Sequence, residues 1–288
     1  MSDFYNPAPA VVVGIDGSRT AIDATLWAVD EAVSRDIPLR LLYAIDPDDG
    51  AHNPHDAARD LATAEIAIRY AFTAVEATMK PVKVEVEIVQ EKPVRALAAA
   101  SRAAAMVCVG AVGFKNATRG QIGSTAAALV RSAHCPVAVI RGRAAAVSGT
   151  GTILAEVGDW TTADAVLQLA IDQARLRHAP LRVLAAWQSH FTDAHDTDAV
   201  AEGHQLAQAQ LDRRLAGWRR RYPDLDVESV TNHGSTLDYL AKTADTTQLV
   251  VVGAERAGGC GELLGPRGLA ILHDTECSVL TCDRQRRL

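Results

Sequence analysis

The stretch "RDIPLRLLYA", residues 35–44, recurs as "RHAPLRVLAA" at residues 177–186, an offset of 142 positions. The same offset brings "AVDEA" at 28–32 onto "AIDQA" at 170–174. An internal repeat of this length predicts two homologous domains in one chain. The small-residue segment "GRAAAVSGTG" at 142–151 separates them. We therefore place the domain boundaries at residues 1–141 and 152–288.

Each half alternates short β-branched runs, which are typical of strands, with longer helical patterns. The strand candidates of the first half are "AVVVGI", "LRLLYAI", "VEVEIV", "AMVCVG" and "PVAVIR", and those of the second are "TILAEV", "LRVLAAW", "LDVESV", "LVVVGA" and "SVLTC". This alternation predicts βαβ units around a parallel sheet. The expected fold class is α/β, with two tandem doubly wound, Rossmann-like domains that each contain a five-stranded parallel sheet.

Apolar stripes predict one long helix between the second and third strands of each half. In the first half the helix lies within residues 57–80, and its predicted stripe is Leu61, Ala64, Ile68, Phe72, Val75 and Met79. In the second half the stripe is Leu211, Leu215, Trp218 and Tyr222. The spacing of three and four residues puts each stripe on one helix face, which we expect to be buried.

Composition limits the classes of function. The 288-residue chain has a formal net charge of -6 and no concentrated basic face, so nucleic acid and anionic membranes are not expected partners. "MSDFYNPAPA" at the N-terminus is unlike a signal peptide, and no uncharged apolar run approaches about 18 residues, so we expect a soluble cytoplasmic protein. The five cysteines are odd in number and lack a Cys-x-x-Cys pair, which indicates reduced thiols.

The stretch "GAVGFKNATRGQIGST" at 110–125 is the strongest candidate for a binding loop. A predicted strand ends at Gly110, and a predicted helix begins at Ser124. Glycines let backbone N–H groups approach an oxyanion, and a helix N-terminus favours negative charge. Lys115 and Arg119 add cations within reach of such a ligand. The loop therefore predicts phosphate binding, and the alternative is an ordinary connection in which Ser124 is only an N-cap.

The glycine spacing of this loop resembles the ATP-binding signature of the universal stress protein family. The spacing is Gly110-x2-Gly113-x9-Gly123-Ser124, it leads into "CPVAVIR", and "VVVGIDGS" at 11–18 resembles the first strand of that family. The resemblance covers nearly the whole chain as a tandem pair of family domains. It implies ATP with Mg as the bound cofactor. "QEKPV" at 90–94 departs from the family pattern by lacking a glycine before the proline.

The resemblance also implies a set of binding residues in the first half. Ligands of the ribose and phosphates would be Gly110, Gly113, Gly123, Ser124 and Thr125. Asp16 would contact the adenosine end, the main chain of Ala44 would lie beside the adenine, and Gly14 and Ile15 would form the floor. Asp16 has an alternative interpretation, as a strand-end carboxylate that stabilises the helix beginning near Ser18.

The second half has lost most of this pattern. Gly253 matches Gly110, but Arg256 replaces Gly113, Pro266 replaces Ser124, and Gly158 occupies the position of Asp16. Proline lacks an N–H donor, and arginine is bulky where close approach is needed. We predict that only the first domain binds a nucleotide. Asp159 could take the vacant role, and weak anion binding by the second half stays open.

Two further features of the chain have ordinary interpretations. His52 and His55 could suggest a metal pair, but solvated histidines are the preferred reading, so no metal site and no catalytic residue are assigned. Arginine clusters at 219–221 and at the C-terminus fit a helix end and an exposed tail.

The predicted function is that of an ATP-binding regulatory or stress-response protein that is not an enzyme. The alternatives are a slow ATP-hydrolysing enzyme of the related ATP α-hydrolase fold and a purely structural interaction module. Expected partners are an adenine nucleotide, an unidentified regulated protein and a second copy of the chain. The family resemblance implies pairing through the fifth strand, and the two halves could instead satisfy that pairing within a monomer.

Overall fold

The computed structural model describes residues 9–48, 54–113, 123–142, 151–158, 163–187, 197–254, 261, 263, 265–273, 275 and 277–282. The chain divides into two compact units, Met1–Ala146 and Val147–Leu288. Each unit alternates strands with helices.

The first unit begins with a strand and ends with a strand. In chain order its elements are β1 (Val11–Ile15), α1 (Arg19–Arg35), β2 (Leu39–Ile45), α2 (Pro54–Glu76), β3 (Val84–Gln90), α3 (Pro93–Ala100), β4 (Met106–Gly110), α4 (Ser124–Ser132) and β5 (Val137–Ile140).

The second unit repeats the same succession, with one short 3-10 helix in addition. Its elements are β6 (Thr152–Glu156), α5 (Ala163–Leu176), β7 (Leu181–Trp187), α6 (Thr197–Arg221), β8 (Val227–His233), α7 (Thr236–Thr243), the 3-10 helix (Ala244–Thr246), β9 (Thr247–Gly253), α8 (Pro266–His273) and β10 (Ser278–Cys282).

The strand order is the same in both units. In the first unit it is β3-β2-β1-β4-β5, and in the second it is β8-β7-β6-β9-β10, with parallel pairing throughout each unit. The direction of winding reverses between β1 and β4, and between β6 and β9. In such sheets a crevice opens at the carboxyl ends of the strands where the winding reverses. The predicted α/β fold with doubly wound parallel sheets is confirmed.

The register between the first two strands is the same in both units. Val11 pairs with Leu39 in the first unit, and Ile153 pairs with Leu181 in the second, so both partners shift by the 142 residues of the sequence repeat. The central strands are covered on both sheet faces, which explains why "VVV" at 11–13 is fully buried rather than alternating with polar residues.

The long helix α2 buries only the middle part of the predicted stripe. Leu61 is 45% exposed and Met79 is 89% exposed, so their assignment to a buried stripe was wrong. The helix ends at Glu76, and Met79 follows it with a φ of 54°. The buried residues of α2 are mainly alanines, namely Ala64, Ala67 and Ala71, together with Ile68 and Val75.

The corresponding stripe of α6 agrees better with the prediction. Leu211 and Leu215 are fully buried. Trp218 and Tyr222 are half-buried and stack on each other with ring centroids 6.2 Å apart. The aromatic pair therefore covers the end of the helix rather than filling the core.

The described residues bear on three features considered in the sequence: membrane-spanning helices, metal-binding groups and cysteines. No helix there is long and apolar enough to cross a membrane. The same residues hold no group of three or more His, Cys, Asp or Glu side chains that could bind a metal ion. Cys108, Cys135, Cys277 and Cys282 form no disulfide within the described residues, whereas Cys260 and His52 lie outside the described part of the chain.

The first turn of α1 packs against the end of β4 at a place where no side chain fits. A Cβ added to Gly110 would lie 2.5 Å from Thr20 Oγ1 and 2.7 Å from the Thr20 carbonyl carbon. Because one of these atoms is backbone, a rotamer change cannot relieve the contact. Gly110 is therefore required by the packing of the unit itself.

We predict that Gly110→Ala lowers the free energy of unfolding by about 1–3 kcal/mol, because α1 must move away from β4. Urea unfolding followed by circular dichroism measures the change. Stability equal to that of the parent protein would contradict the packing role of Gly110.

The same substitution at Gly217 is expected to have the opposite sign. Gly217 lies in the exposed part of α6, and a Cβ there would meet no atom within 4 Å. Alanine is a better helix former than glycine, so Gly217→Ala should stabilise the protein by about 0.5–1 kcal/mol. A loss of stability in the same urea experiment would show that α6 is constrained at this position.

Candidate functional site

A cavity of about 1030 Å³ opens in the first unit at the carboxyl ends of β1, β2 and β4. It lies where the winding direction reverses, the expected place for a ligand in this fold. Among the residues lining it are Gly14, Ile15, Asp16, Ala44, Gly110, Gly113, Gly123, Ser124 and Thr125. The fold therefore brings together the predicted residues that the structure describes. Lys115 and Arg119 lie outside the described residues.

One end of the cavity is formed by the N-terminus of α4. The N-cap of this helix is Gly123, it has no side-chain capping bond, and the first turn contains no acidic residue. Ser124 is the first helical residue, so its alternative interpretation as the N-cap was wrong. The opening N–H groups of a helix lack partners within the helix, and together they favour an anion.

Gly113 and Gly123, beside this helix, differ in how closely their surroundings would contact an added side chain. A Cβ on Gly113 would lie 3.0 Å from Asp16 Oδ2, a tight contact. Among the described residues, a Cβ on Gly123 would come no closer than 3.5 Å, to the Gly113 nitrogen, and its φ of -56° suits any residue. A side chain at Gly113 would require the Asp16 carboxylate to shift, whereas the described neighbours of Gly123 leave room for one.

Asp16 links the tip of β1 to the start of α1. Its Oδ1 accepts a hydrogen bond from the Ser18 N–H at 2.9 Å, and Ser18 caps α1 by accepting from the Ala21 N–H at 3.1 Å. This geometry fits the alternative interpretation, in which Asp16 stabilises the helix start. Because its carboxylate also lines the cavity beside Gly113, the two interpretations are compatible.

The opposite end of the cavity lies over the end of β2. The last residue pair between β1 and β2 joins Ile15 to Tyr43, and β2 continues for two more residues, Ala44 and Ile45. The Ala44 main chain therefore extends past its neighbouring strand, where it borders the cavity. Beneath it, Gly14 lies close to α3, since a Cβ there would be 3.1 Å from Leu97 Cδ1.

Two walls of the cavity were not predicted from the sequence. One is the flank of α2 that carries Asp60, Thr63, Ile66, Ala67 and Tyr70, and the other is the beginning of α3, with Lys92, Pro93, Val94, Arg95 and Leu97. Ile66 and Tyr70 are 52% and 70% exposed, although both are large and apolar. Their spacing of four residues outside the buried stripe was the signal that could have identified this wall.

Charged groups of both signs surround the cavity. Lys92 Nζ contacts Asp48 Oδ2 at 2.6 Å, and this hydrogen bond raises the pKa of Lys92 and lowers that of Asp48. Burial raises the pKa of Tyr43, and the negative charges of Asp16 and Asp60 add to that effect. Tyr43 therefore stays a neutral hydrogen-bonding phenol at physiological pH.

The equivalent region of the second unit contains large side chains at its strand ends. Glu156 stands at the register position of Gly14, since Gly14 pairs with Leu42 and Glu156 with Leu184. The Glu156 carboxylate is buried and lies so close to Gly158 that a Cβ there would be 2.6 Å from Oε1. The second unit therefore has a buried carboxylate at a strand end where the first unit has a glycine packed against Leu97 and Val109.

Trp187 makes a second difference between the units, at the position that corresponds to Ile45. Its ring meets the His233 ring edge-on, with centroids 4.8 Å apart, and it packs against Gly203 of α6 so closely that a Cβ there would be 2.7 Å from the ring. Arg256, at the position of Gly113, lies outside the described residues.

Comparisons with known proteins agree with the repeated fold. The sequence profile of the universal stress protein family matches residues 9–141 and 150–283. The chain is 47% identical over 287 residues to universal stress protein Rv2028c of Mycobacterium tuberculosis, and 44% identical over 284 residues to Rv3134c of the same species, with at least 98% of each chain covered. A universal stress protein from Archaeoglobus fulgidus shares the fold, with a TM-score of 0.65, 17% identity, and coverage of 97% of this chain and 98% of that one. The chain therefore belongs to the universal stress protein family, as two family domains in tandem.

Proposed function

We propose that the first domain binds ATP reversibly, as the Mg complex, and that its occupancy regulates an interaction of the protein. The observation that carries this proposal is the open space beside Gly123, where the uncapped start of α4 meets the cavity. This position has no side chain although the packing of the described residues around it does not require a glycine. A ligand that needs close approach to the backbone accounts for it.

A polyphosphate suits this end of the cavity. The N–H groups that open α4 and the hydroxyls of Ser124 and Thr125 are donors, and phosphate oxygens are acceptors. Hydrogen bonds to a charged group are stronger than neutral ones, so a few such donors suffice to hold the anion. Mg²⁺ would offset part of the phosphate charge.

A nucleoside suits the rest of the cavity. Ile66 and Tyr70 offer apolar surface to a base, and the Ala44 main chain offers hydrogen-bonding groups beyond the end of β1. The Asp16 carboxylate lies between the two ends and can accept hydrogen bonds from ribose hydroxyls. A cavity of this size accommodates a whole nucleotide.

One nucleotide site per chain is the expected stoichiometry. In the second unit the buried Glu156 carboxylate stands at the position of Gly14, and a buried negative charge opposes an anionic ligand. Trp187 fills the strand end where the first unit borders its cavity with Ile45.

We further propose that binding, rather than turnover, is the function of the site. Asp16, whose carboxylate lies beside Gly113, already accepts a hydrogen bond from the Ser18 N–H, which suits it to hold a ligand in place. A nucleotide switch requires only that two states of the protein differ in affinity for ATP. Release of inorganic phosphate at a rate that depends on Asp16 would instead support the hydrolytic alternative.

Isothermal titration with Mg-ATP is expected to give a single site per chain, and Gly123→Val should weaken binding by about 100-fold. The branched side chain would enter the space beside α4 and displace the phosphates from several N–H donors. Gly217→Ala in α6 is the control, and it should bind as tightly as the parent protein.

Two results would contradict the proposed site. Two equivalent ATP sites would mean that Glu156 and Trp187 do not block the second unit. A Gly123→Val protein with native circular dichroism and unchanged affinity would remove α4 from the site.

Assembly into a homodimer is also proposed, following the pairing implied for family domains. Light scattering of the purified protein should then give twice the mass of one chain at micromolar concentration. A mass of one chain across that range would show that the tandem domains already form a complete unit.

A further inference from the structure

The two ends of the candidate phosphate loop meet at a narrow neck. The Gly123 N–H donates to the Ala111 carbonyl at 2.8 Å, and the Ala111 N–H donates to the Ile140 carbonyl at 2.9 Å. Residues 111 and 123 are thus held together at the end of β4. The next residue, Val112, has its carbonyl outside this backbone pattern.

The Val112 carbonyl accepts a hydrogen bond from a side chain that is distant in sequence but adjacent in space. Thr20, in the first turn of α1, donates its hydroxyl proton to that carbonyl across a separation of 92 residues. Thr20 is not among the described residues that line the cavity, although Ser18 and Ala21 on either side of it are. We therefore expect its hydroxyl to influence a ligand through the loop backbone to which it is bonded.

The Thr20 hydroxyl belongs to a short chain of hydrogen bonds. Ser18 Oγ lies 3.2 Å from Thr20 Oγ1. The single Thr20 proton goes to Val112, and Ser18 Oγ already accepts from the Ala21 N–H, so Ser18 is the donor to Thr20. The order is Ser18 hydroxyl to Thr20 hydroxyl to Val112 carbonyl.

This chain joins the wall of the cavity to the neck of the loop. The Ser18 N–H donates to Asp16 Oδ1, and both residues line the cavity. At the other end, Val112 lies between Gly110 and Gly113, which line it as well. Two segments of the same wall are therefore connected through one hydroxyl group, that of Thr20.

We propose that Thr20 is a positioning residue for nucleotide binding, a role that rests on the proposed function of the first domain. Its hydroxyl fixes the Val112 carbonyl, and with it the orientation of the peptide groups from Gly110 to Gly113 that face the phosphates. A loop fixed before binding loses less conformational freedom when the ligand arrives, so affinity is higher.

Gly110 has a specific part in this arrangement. A Cβ at Gly110 would lie 2.5 Å from Thr20 Oγ1, so any other residue would push the hydroxyl away from Val112. The lack of a side chain at Gly110 therefore makes room for the Thr20 hydroxyl to bond the Val112 carbonyl in the loop.

Three variants separate the hydroxyl group from the shape of the side chain. Thr20→Val keeps the branched shape against Gly110 and removes the donor, whereas Thr20→Ser keeps the donor. Thr25→Val is the matched control, because the Thr25 hydroxyl bonds only to the Ala21 carbonyl of its own helix, at 2.8 Å. All three retain α1, which circular dichroism and thermal unfolding verify.

The first measurement uses the full-length protein without nucleotide. Hydrogen exchange of the Gly123 amide reports whether the neck is closed, because that N–H is bonded to Ala111. We expect about tenfold faster exchange in Thr20→Val, and exchange close to that of the parent protein in Thr20→Ser and Thr25→Val. Equal exchange in all four proteins would overturn the proposal.

The second measurement is the dissociation constant of Mg-ATP for the same proteins. Thr20→Val should bind about five- to tenfold more weakly, with recovery in Thr20→Ser and no change in Thr25→Val. Unchanged affinity in Thr20→Val, or equal losses in Thr20→Val and Thr20→Ser, would overturn the positioning role.

The two measurements distinguish failure of the proposed function from failure of the role proposed for Thr20. If the parent protein binds no adenine nucleotide, the proposed function is wrong and so is a role for Thr20 in binding it. Exchange at Gly123 then still shows whether the hydroxyl holds the loop neck.

Discussion

The approach of α1 to the end of β4 is the constraint on which the candidate binding cavity of the first unit depends. With no side chain at Gly110, the first turn of α1 comes into direct contact with the strand end, and the Thr20 hydroxyl reaches the Val112 carbonyl. That contact sets where the loop leaves the sheet. The loop closes again where Gly123 bonds to Ala111, so the start of α4 is aimed at the cavity. The contact between Gly110 and Thr20 therefore affects both the packing of the unit and the geometry of the cavity.

Two copies of one fold have diverged at the strand ends while keeping the sheet. Strand order and the register of the first strand pair are the same in both units. The differences lie at the positions of Gly14 and Ile45, where the second unit has Glu156 and Trp187. Glu156 is the last residue of β6 and Trp187 the last of β7, and the strand pairing of the second unit is kept with both in place. Side chains at strand ends can therefore change in this fold without loss of the sheet.

Sequence reasoning predicted most of the fold because buried parallel strands leave a strong pattern. Runs such as "VVV" at 11–13 and the 142-residue repeat depend on burial and on shared ancestry, and both can be read directly. The glycines and hydroxyl residues at the start of α4 were predicted from glycine spacing, and those that the structure describes line one cavity. The α2 and α3 walls were missed because their residues are brought to the cavity by helix orientation, which no local pattern encodes. Leu61 and Met79 were misassigned because a periodic pattern does not reveal where the buried face begins and ends.

Glycines in one motif have different physical causes, and the second unit separates them. Gly253 keeps the position of Gly110, and Thr162 stands 142 residues after Thr20, so the residues of the α1–β4 contact recur in sequence. The positions facing the cavity do not recur, since Gly158, Trp160, Arg256 and Pro266 replace Asp16, Ser18, Gly113 and Ser124. A unit without a ligand would need only the residues that pack, whereas the proposed site needs the residues that face the cavity as well. The second unit lacks counterparts to Asp16 and Ser18, and with them the hydrogen bonds that connect Thr20 to the cavity wall in the first unit.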